Sequence, residues 1–440
     1  MYKRTIFRLV LAIAIAIGII LGVWQMRPPA ANEDCPHFQR MMYNIERWSP
    51  RPRHGGTDAA RAEIARVRAG IIAEIEEMGL EAIIHEVVYT RDEVAAARQL
   101  LAGRRTINDR YFRGDRLYLQ NILVRLEAAE SDRVVIFVAH YDSALNSPGA
   151  ADAMTPVAAM LEAMRVHASS QNLANNIYFL FTDGEEIGAL GALAFIRDHP
   201  ELGERIDMLV NLEAQGNSGG LILFETTPEP SAMLNVWRRA AVRPIGFSLG
   251  QPVYEQLNTF TDFNFFLRYN WRGVNLAIIE GGRHYHTPGD NFANLDRNTA
   301  HHFLTTAMGL ANYAAANPLN IPESSHSAVF FPLLPGNMVI MSHLAAYILS
   351  MLACAAALVY IIFKRRSVIL MILTALTILA TIFLHEASYL FWLPLIIITS
   401  SCFLEKWPIA RRGAQILTVF VALLLWTPLI FAVGALYMIW

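Results

Sequence analysis

Val134-Val-Ile-Phe-Val-Ala-His140-Tyr141-Asp142 places six apolar residues directly before an imidazole and, two residues on, a carboxylate. An unbroken run of β-branched and aromatic residues suits a strand covered on both faces. The same arrangement recurs along the chain. Ile177 to Phe181 runs into Thr182-Asp183-Gly184-Glu185-Glu186, and Met208 to Leu212 runs into Glu213. Ala277-Ile278-Ile279-Glu280-Gly281-Gly282 leads to His284-Tyr285-His286, and Gly149-Ala150-Ala151-Asp152 precedes a helix-like run. In open α/β sheets the carboxyl ends of neighbouring strands gather at one edge, where ligands bind. Residues more than a hundred positions apart then share one site.

Working outward, strand-like and helix-like patterns alternate. Glu81 to Tyr89, Leu117 to Leu126, Leu221 to Phe224 and Val274 to Ile279 are further short apolar or alternating runs. Ala59 to Met78, Val157 to His167, Leu190 to Ile196, Ser231 to Arg239, Phe260 to Tyr269 and Thr299 to Tyr313 read as helices between them. Such alternation predicts an α/β sandwich with helices on both faces of the sheet.

Each candidate residue also has an ordinary explanation. His140 with Asp142 fits a surface histidine beside an aspartate, although Asp142 falls on the same side of a continuing strand and could orient the ring. Asp152 fits a helix N-cap. Consecutive carboxylates are usually a solvated face, but Glu185 and Glu186 abut an apolar strand and a glycine-bearing turn. Adjacent glutamates can divide labour, one holding metal and the other taking a proton from water. Either His284 or His286 could be a bystander. Taken together, several strand ends supply carboxylate or imidazole and none supplies sulfur, which fits catalytic zinc. Cys35, Cys354 and Cys402 are the only cysteines, so neither a disulfide framework nor a thiolate site can be built in the region between.

The composition places the rest. Lys+Arg of 36 against Asp+Glu of 38 gives a net charge of -2, which lends no support to a nucleic-acid partner. Hydrophobic residues make up 54% of 440, and the excess collects at the two ends. Ile6 to Trp24 follows Lys3 and Arg4 and is long enough for a transmembrane anchor, with a cleaved signal peptide as the competing reading. Met338 to Phe363, Val368 to Leu384, Tyr389 to Phe403 and Ile416 to Trp440 predict about four C-terminal spans, against the alternative of a buried helical bundle. Lys364-Arg365-Arg366 and Lys406 to Arg412 are basic connectors, and His385-Glu386 between them is not. The positive-inside rule then puts both basic loops and the N-terminus in the cytoplasm, and residues from about 27 to 335 outside it. The predicted organisation is an anchor over 1–27, an α/β domain over 33–316, a Pro- and Ser-rich linker over 317–337 and a membrane domain over 338–440.

The order H-Y-D, G-A-x-D, D-G-E-E-x-G, N-L-E-A and Y-H-T-x-x-D-x-x-x-N-L-D resembles the M28 family of co-catalytic zinc metallopeptidases over about residues 60 to 315. Pro252-Val253-Tyr254 to Thr261-Asp262-Phe263 is similar to the stretch before that family's last histidine. Glu213 in place of aspartate, with membrane spans at both ends, is similar to the endoplasmic-reticulum metallopeptidase and vacuolar membrane protease branch. The resemblance implies a mixed-sheet α/β/α sandwich and two Zn2+ ions, one on His140 and Glu213, another on Glu186 and His286, with Asp152 bridging. It implies Glu185 as general base, Asp142 orienting His140, and His286 rather than His284 as ligand. Asp152 is followed by Ala153-Met154-Thr155-Pro156, where the family usually has asparagine and small residues, and the membrane tail is shorter than in the eukaryotic relatives.

The expected function is therefore hydrolysis of a peptide or protein substrate at a bilayer, facing a periplasm or an organelle lumen, as an aminopeptidase. A non-catalytic scaffold on the same fold and a single-zinc aminoacyl cyclase are the competing readings. Tyr254, Tyr285 and Thr261 are candidates for stabilising an oxyanion. Substrate, exo- or endopeptidase action and oligomeric state are open at this level.

Overall fold

A computed structural model describes residues 2–100, 108–257, 259–322, 326–363, 368–383, 387–403 and 407–437. Helix α1 (Tyr2–Gln25) leads into α2 (Pro36–Trp48), α3 (Asp58–Glu77), β1 (Ile83–Thr90), α4 (Arg91–Leu100), β2 (Arg116–Leu126) and β3 (Val134–His140). Next come α5 (Thr155–His167), β4 (Asn176–Thr182), α6 (Leu190–Asp198), the single turn α7 (Leu202–Arg205), β5 (Ile206–Ala214), β6 (Ile222–Thr226) and α8 (Ser231–Ala240). The domain closes with β7 (Ile245–Gly246), α9 (Gly250–Tyr254), α10 (Phe263–Arg268), β8 (Gly273–Ile278) and α11 (Arg297–Ala316). A hairpin, β9 (Ala328–Leu334) and β10 (Asn337–Ser342), precedes α12 (His343–Phe363), α13 (Val368–Phe383), α14 (Tyr389–Phe403) and α15 (Pro408–Tyr437).

Eight strands form one mixed sheet in the order β1-β2-β4-β3-β5-β8-β6-β7. Its centre, β4-β3-β5-β8, is parallel, so these four strands end at the same edge. Strand period decides the layers. In β3, Val135, Phe137 and Ala139 join the core under α2, α3, α5, α8 and α11. Val134, Ile136 and Val138 join the opposite core under α4, α6 and α10. The fold is the expected α/β/α sandwich, with the four central strands buried on both faces.

The expected linker and the expected start of the first C-terminal span at Met338 differ from what is observed. Residues 337–342 pair with β9, and the helix begins only at His343. The hairpin joins the two parts of the molecule by the same period-two logic. Ala328 and Phe330 enter the α/β core, while Val329 and Phe331 pack among residues of α12, α14 and α15.

Apart from the β10 residues at the start of the first, the four C-terminal apolar segments are helical over their described residues. Among the described residues, however, only Thr5–Gln25, His343–Ile362 and Ile409–Ile430 are long and apolar enough to cross a membrane. Helices α13 and α14, of 16 and 15 residues, rise only about 22–24 Å against a hydrocarbon core of roughly 30 Å. Two of the about four expected C-terminal spans thus have the length among the described residues, and undescribed residues adjoin α13 at both ends and α14 at its C-terminal end. The buried-bundle alternative fails on exposure: Leu344, Met351 and Ile362 of α12 are 70%, 70% and 71% exposed.

Helices α1 and α15 pack in parallel. Arg412 lies over the Phe7 ring at 5.7 Å, Gly18 faces Phe420 and Leu423, and Gly22 faces Thr427. Gly18-Ile-Ile-Leu-Gly22 is a small-xxx-small stripe of the kind that lets membrane helices approach closely. The connectors Lys364-Arg365-Arg366, His385-Glu386 and Lys406 lie outside the described residues.

Candidate metal centre

Strand ends assemble the site. His140 is the last residue of β3, and its register partner on β4 is Thr182, after which the chain turns into Asp183 to Glu186. Glu213 is the penultimate residue of β5, beside β8, whose continuation carries His286. Asp152 arrives from the loop before α5, where Gly149 takes the left-handed conformation that starts the turn. The peptide bond after Asp152 is cis.

His140 Nδ1 faces the Asp142 backbone oxygen at 3.2 Å and its Oδ1 at 3.4 Å. With the Nδ1–H donating there, Nε2 turns its lone pair toward Asp152 Oδ1 at 3.0 Å and Glu213 Oε2 at 3.4 Å. His286 Nε2 lies 3.0 Å from Glu186 Oε2 and 3.3 Å from Asp152 Oδ2. Asp152 thus stands between the histidines with one oxygen toward each. Donor atoms of His140, Asp152 and Glu213 lie within 4.8 Å of one another, as do those of Asp152, Glu186 and His286. Asp142 also accepts the Glu185 and Glu186 backbone N–H groups at 3.2 Å each, fixing the two glutamates side by side.

The electrostatics call for cations. Five carboxylates (Asp142, Asp152, Glu185, Glu186, Glu213) converge on two imidazoles. Burial opposes charge on His140, but Glu213, Asp142 and Asp152 outweigh it and raise its pKa well above the ordinary value. Burial likewise opposes charge on His286, which Glu186 and Asp152 push up to about 10. Burial raises the Glu213 pKa, with His140 opposing. Asp152 Oδ2 is buried and, beyond the 3.3 Å approach of His286 Nε2, has no polar partner that satisfies it among the described residues. A lone pair facing carboxylate oxygens, and a buried orphan oxygen between two imidazoles, both fit a bound divalent ion.

His284 lies apart from the cluster, with its Nε2 3.1 Å from Arg283 Nε. Tyr285 stacks on the His286 ring at 3.7 Å between centroids. Thr261 Oγ1 accepts the Asn275 Nδ2–H at 3.0 Å within the sheet, and the Tyr254 hydroxyl donates to Asn264 Oδ1 at 3.4 Å.

Three supporting residues were not singled out from sequence. Arg53 is fully buried, with Nε donating to Tyr141 O at 2.7 Å and Nη2 to Gly149 O at 2.8 Å. It ties the loop after β3 to the turn that carries Asp152, and burial lowers its pKa to about 10 against the pull of Asp290 and Asp142. Asp290 accepts the N–H groups of Ala151 at 2.8 Å and Asp152 at 3.2 Å. Burial, then the Asp152 charge, raises it to about 7. Asp262 accepts from Thr182 Oγ1 at 2.5 Å, and burial followed by Glu213 raises it to about 7. Asp290 and Asp262 stand inside motifs already quoted, whereas an arginine in a loop carries no periodic signal.

Residues 121–311 match the model for peptidase family M28. The rat endoplasmic reticulum metallopeptidase 1 is 31% identical over 224 residues, covering 49% of this chain and 25% of that protein. The vacuolar membrane protease of Candida glabrata is 29% identical over 218 residues, covering 49% of this chain and 22% of that protein. The alignments therefore span about a quarter of the length of these relatives. Among solved structures, the aminopeptidase from Aneurinibacillus sp. strain AM-1 aligns over 63% of this chain and 93% of its own, with TM-score 0.48 and 13% identity.

Proposed function

Proceeding from an M28 peptidase region at residues 121–311, we propose that this chain is a membrane-anchored di-zinc peptidase. It hydrolyses peptide bonds on the non-cytoplasmic side, as an aminopeptidase. The observation that carries the reading is the two-sided presentation of Asp152, with Oδ1 toward His140 and Oδ2 toward His286. His140 and Glu213 would hold one zinc, Glu186 and His286 the other, and Asp152 would serve both.

When bound, the ions supply Lewis-acid polarisation of the scissile carbonyl and lower the pKa of water toward neutrality. Glu185 takes the proton of the attacking water and passes it to the leaving amine. It is 3% exposed, so its carboxylate works in a site from which most water is excluded. Asp142 serves both halves of the chemistry: it orients His140 through Nδ1 and holds the backbone that carries base and ligand together.

The sidedness is supported by the parallel packing of α1 and α15. Lys3, Arg4 and Arg8 begin one helix and Arg411 and Arg412 begin the other, so the basic residues collect at one end while the α/β domain follows the far end of α1. Whether α13 and α14 both cross or both stay within one leaflet, this placement is unchanged. The test is digestion of a peptide library with free and blocked N-termini, with and without chelator. The proposal predicts cleavage of free N-termini only, lost with chelator and restored by zinc. Cleavage of blocked peptides removes the aminopeptidase assignment, and chelator-resistant cleavage removes the metal.

A further inference from the structure

An apolar pocket lies between the α/β domain and the last membrane helix. Phe224 on β6, Phe247, Leu249, Val253 on α9, Ile279 beyond β8 and Leu429 of α15 form its walls. Three of its lining residues, Ala277, Gln215 and Tyr254, tie it to the neighbourhood of Glu213. Ala277 lines the pocket and is the register partner of Glu213 in the β5–β8 ladder, and paired residues in a sheet present their side chains on the same face about 5 Å apart. Gln215, two residues beyond Glu213, lines it as well. Tyr254 lines the pocket too, and after burial the charges of Glu225, Glu213 and Glu185 act on its hydroxyl.

The outer wall belongs to the membrane part of the chain. Leu429 is 9% exposed and packs in the cluster that holds Leu425, Tyr389 and Leu395, and Leu249 of the α/β domain packs against that same cluster. Leu429 stands at the opposite end of α15 from Arg411 and Arg412. Next to the pocket, Met26, just past α1, is buried with Ile222, Ile245, Phe247 and Ile279. The pocket therefore sits where two membrane helices meet the catalytic domain. A lipid tail would need no carboxylate cluster at one end, whereas a side chain flanking a scissile bond needs both.

We infer that Leu429, contributed by a membrane helix, is a specificity-determining residue. With the domain's apolar wall it reads a bulky apolar side chain next to the scissile bond of peptides presented at the bilayer surface. This rests on the peptidase reading above and adds to it a substrate class and a role for the membrane domain.

The test uses the full chain, zinc-loaded in nanodiscs, as wild type, Leu429→Trp and Leu429→Ala. kcat/KM is measured on aminoacyl-coumarin substrates bearing Phe, Leu, Ala or Asp. Titration calorimetry with leucine hydroxamate and alanine hydroxamate gives a readout that needs no turnover. The inference predicts a wild-type preference for Phe and Leu, and a fall of about 10-fold or more in the Phe/Ala ratio for Leu429→Trp, the scale expected when a pocket loses space for a few methylenes. Leu429→Ala moves the Leu/Phe ratio toward Phe, and keeps the test decisive if the tryptophan variant does not fold. Ratios within about 2-fold of wild type in both assays overturn the inference. Altered hydroxamate selectivity without turnover of any substrate leaves the pocket standing and removes the peptidase reading.

Discussion

Replacing Gly149 by alanine puts the largest strain on the turn that delivers Asp152. Gly149 has φ +63°, where a Cβ costs about 1–2 kcal/mol. That Cβ would also sit 2.4 Å from Asp152 O, 2.8 Å from Arg53 Nη2 and 2.9 Å from Ser143 Cβ. Backbone and a buried guanidinium cannot give way cheaply, and forced overpacking of this kind costs about 1–3 kcal/mol more. The expected loss is about 2–5 kcal/mol, relieved most easily by displacing the loop and with it the shared carboxylate. Gly114 is the control: its φ is +65° and an added Cβ meets nothing within 4 Å, so Gly114→Ala carries only the first of these costs. Zinc per chain after dialysis, the thermal midpoint and kcat/KM are measured on both variants. Gly149→Ala should hold fewer than two zincs and lose about 100-fold in kcat/KM, as expected when a reacting group shifts by about 1 Å. Gly114→Ala should keep both. Equal zinc content and kcat/KM in the two variants would refute the reasoning.

Other expectations follow from separate parts of the molecule. Burial raises the Glu225 pKa from 4.5 to about 7, with the Asn275 hydrogen bond opposing. The folded state then binds more protons than the unfolded state between those values, so stability falls as pH rises from about 4.5 to 7, by about 3 kcal/mol in full. Glu225→Gln should raise the thermal midpoint at pH 8 and leave it unchanged at pH 4; an equal shift at both pH values contradicts the assignment. In the membrane, a Cβ on Gly22 would lie 2.6 Å from Thr427 Cβ, whereas one on Gly413 meets nothing within 4 Å. Gly22→Leu should lower the thermal midpoint in detergent and Gly413→Leu should not, and equal behaviour argues against the α1–α15 contact. For sidedness, single cysteines placed at Arg411 and at exposed Tyr118 should label from opposite faces of sealed vesicles. Labelling from the same face would contradict the topology.

The sheet was legible because its buried strands are unbroken apolar runs. Val134 to Ala139, Ile177 to Phe181 and Met208 to Leu212 each fall within an observed strand. The convergence of their ends was legible for the same reason, since a parallel centre leaves no other place for His140, Glu186 and Glu213. Helix α2 could have been read from Phe38, Met41, Met42, Ile45 and Trp48, which fall at helical spacing and are all buried. The β9–β10 hairpin was hidden by Pro332 within its first strand, which a two-stranded edge tolerates and a central strand does not. Arg53 was illegible in principle. Its partners are backbone oxygens 88 and 96 residues away, and only the fold brings them to it.

The measurement closest to the central claim is zinc stoichiometry and turnover for wild type and Glu185→Gln side by side, on the full chain in nanodiscs. The account predicts two zincs per chain in both proteins and a loss of about 100- to 10,000-fold in kcat for the variant, the range for removal of a general base. One zinc per chain in wild type, or near-normal turnover by Glu185→Gln, would contradict it.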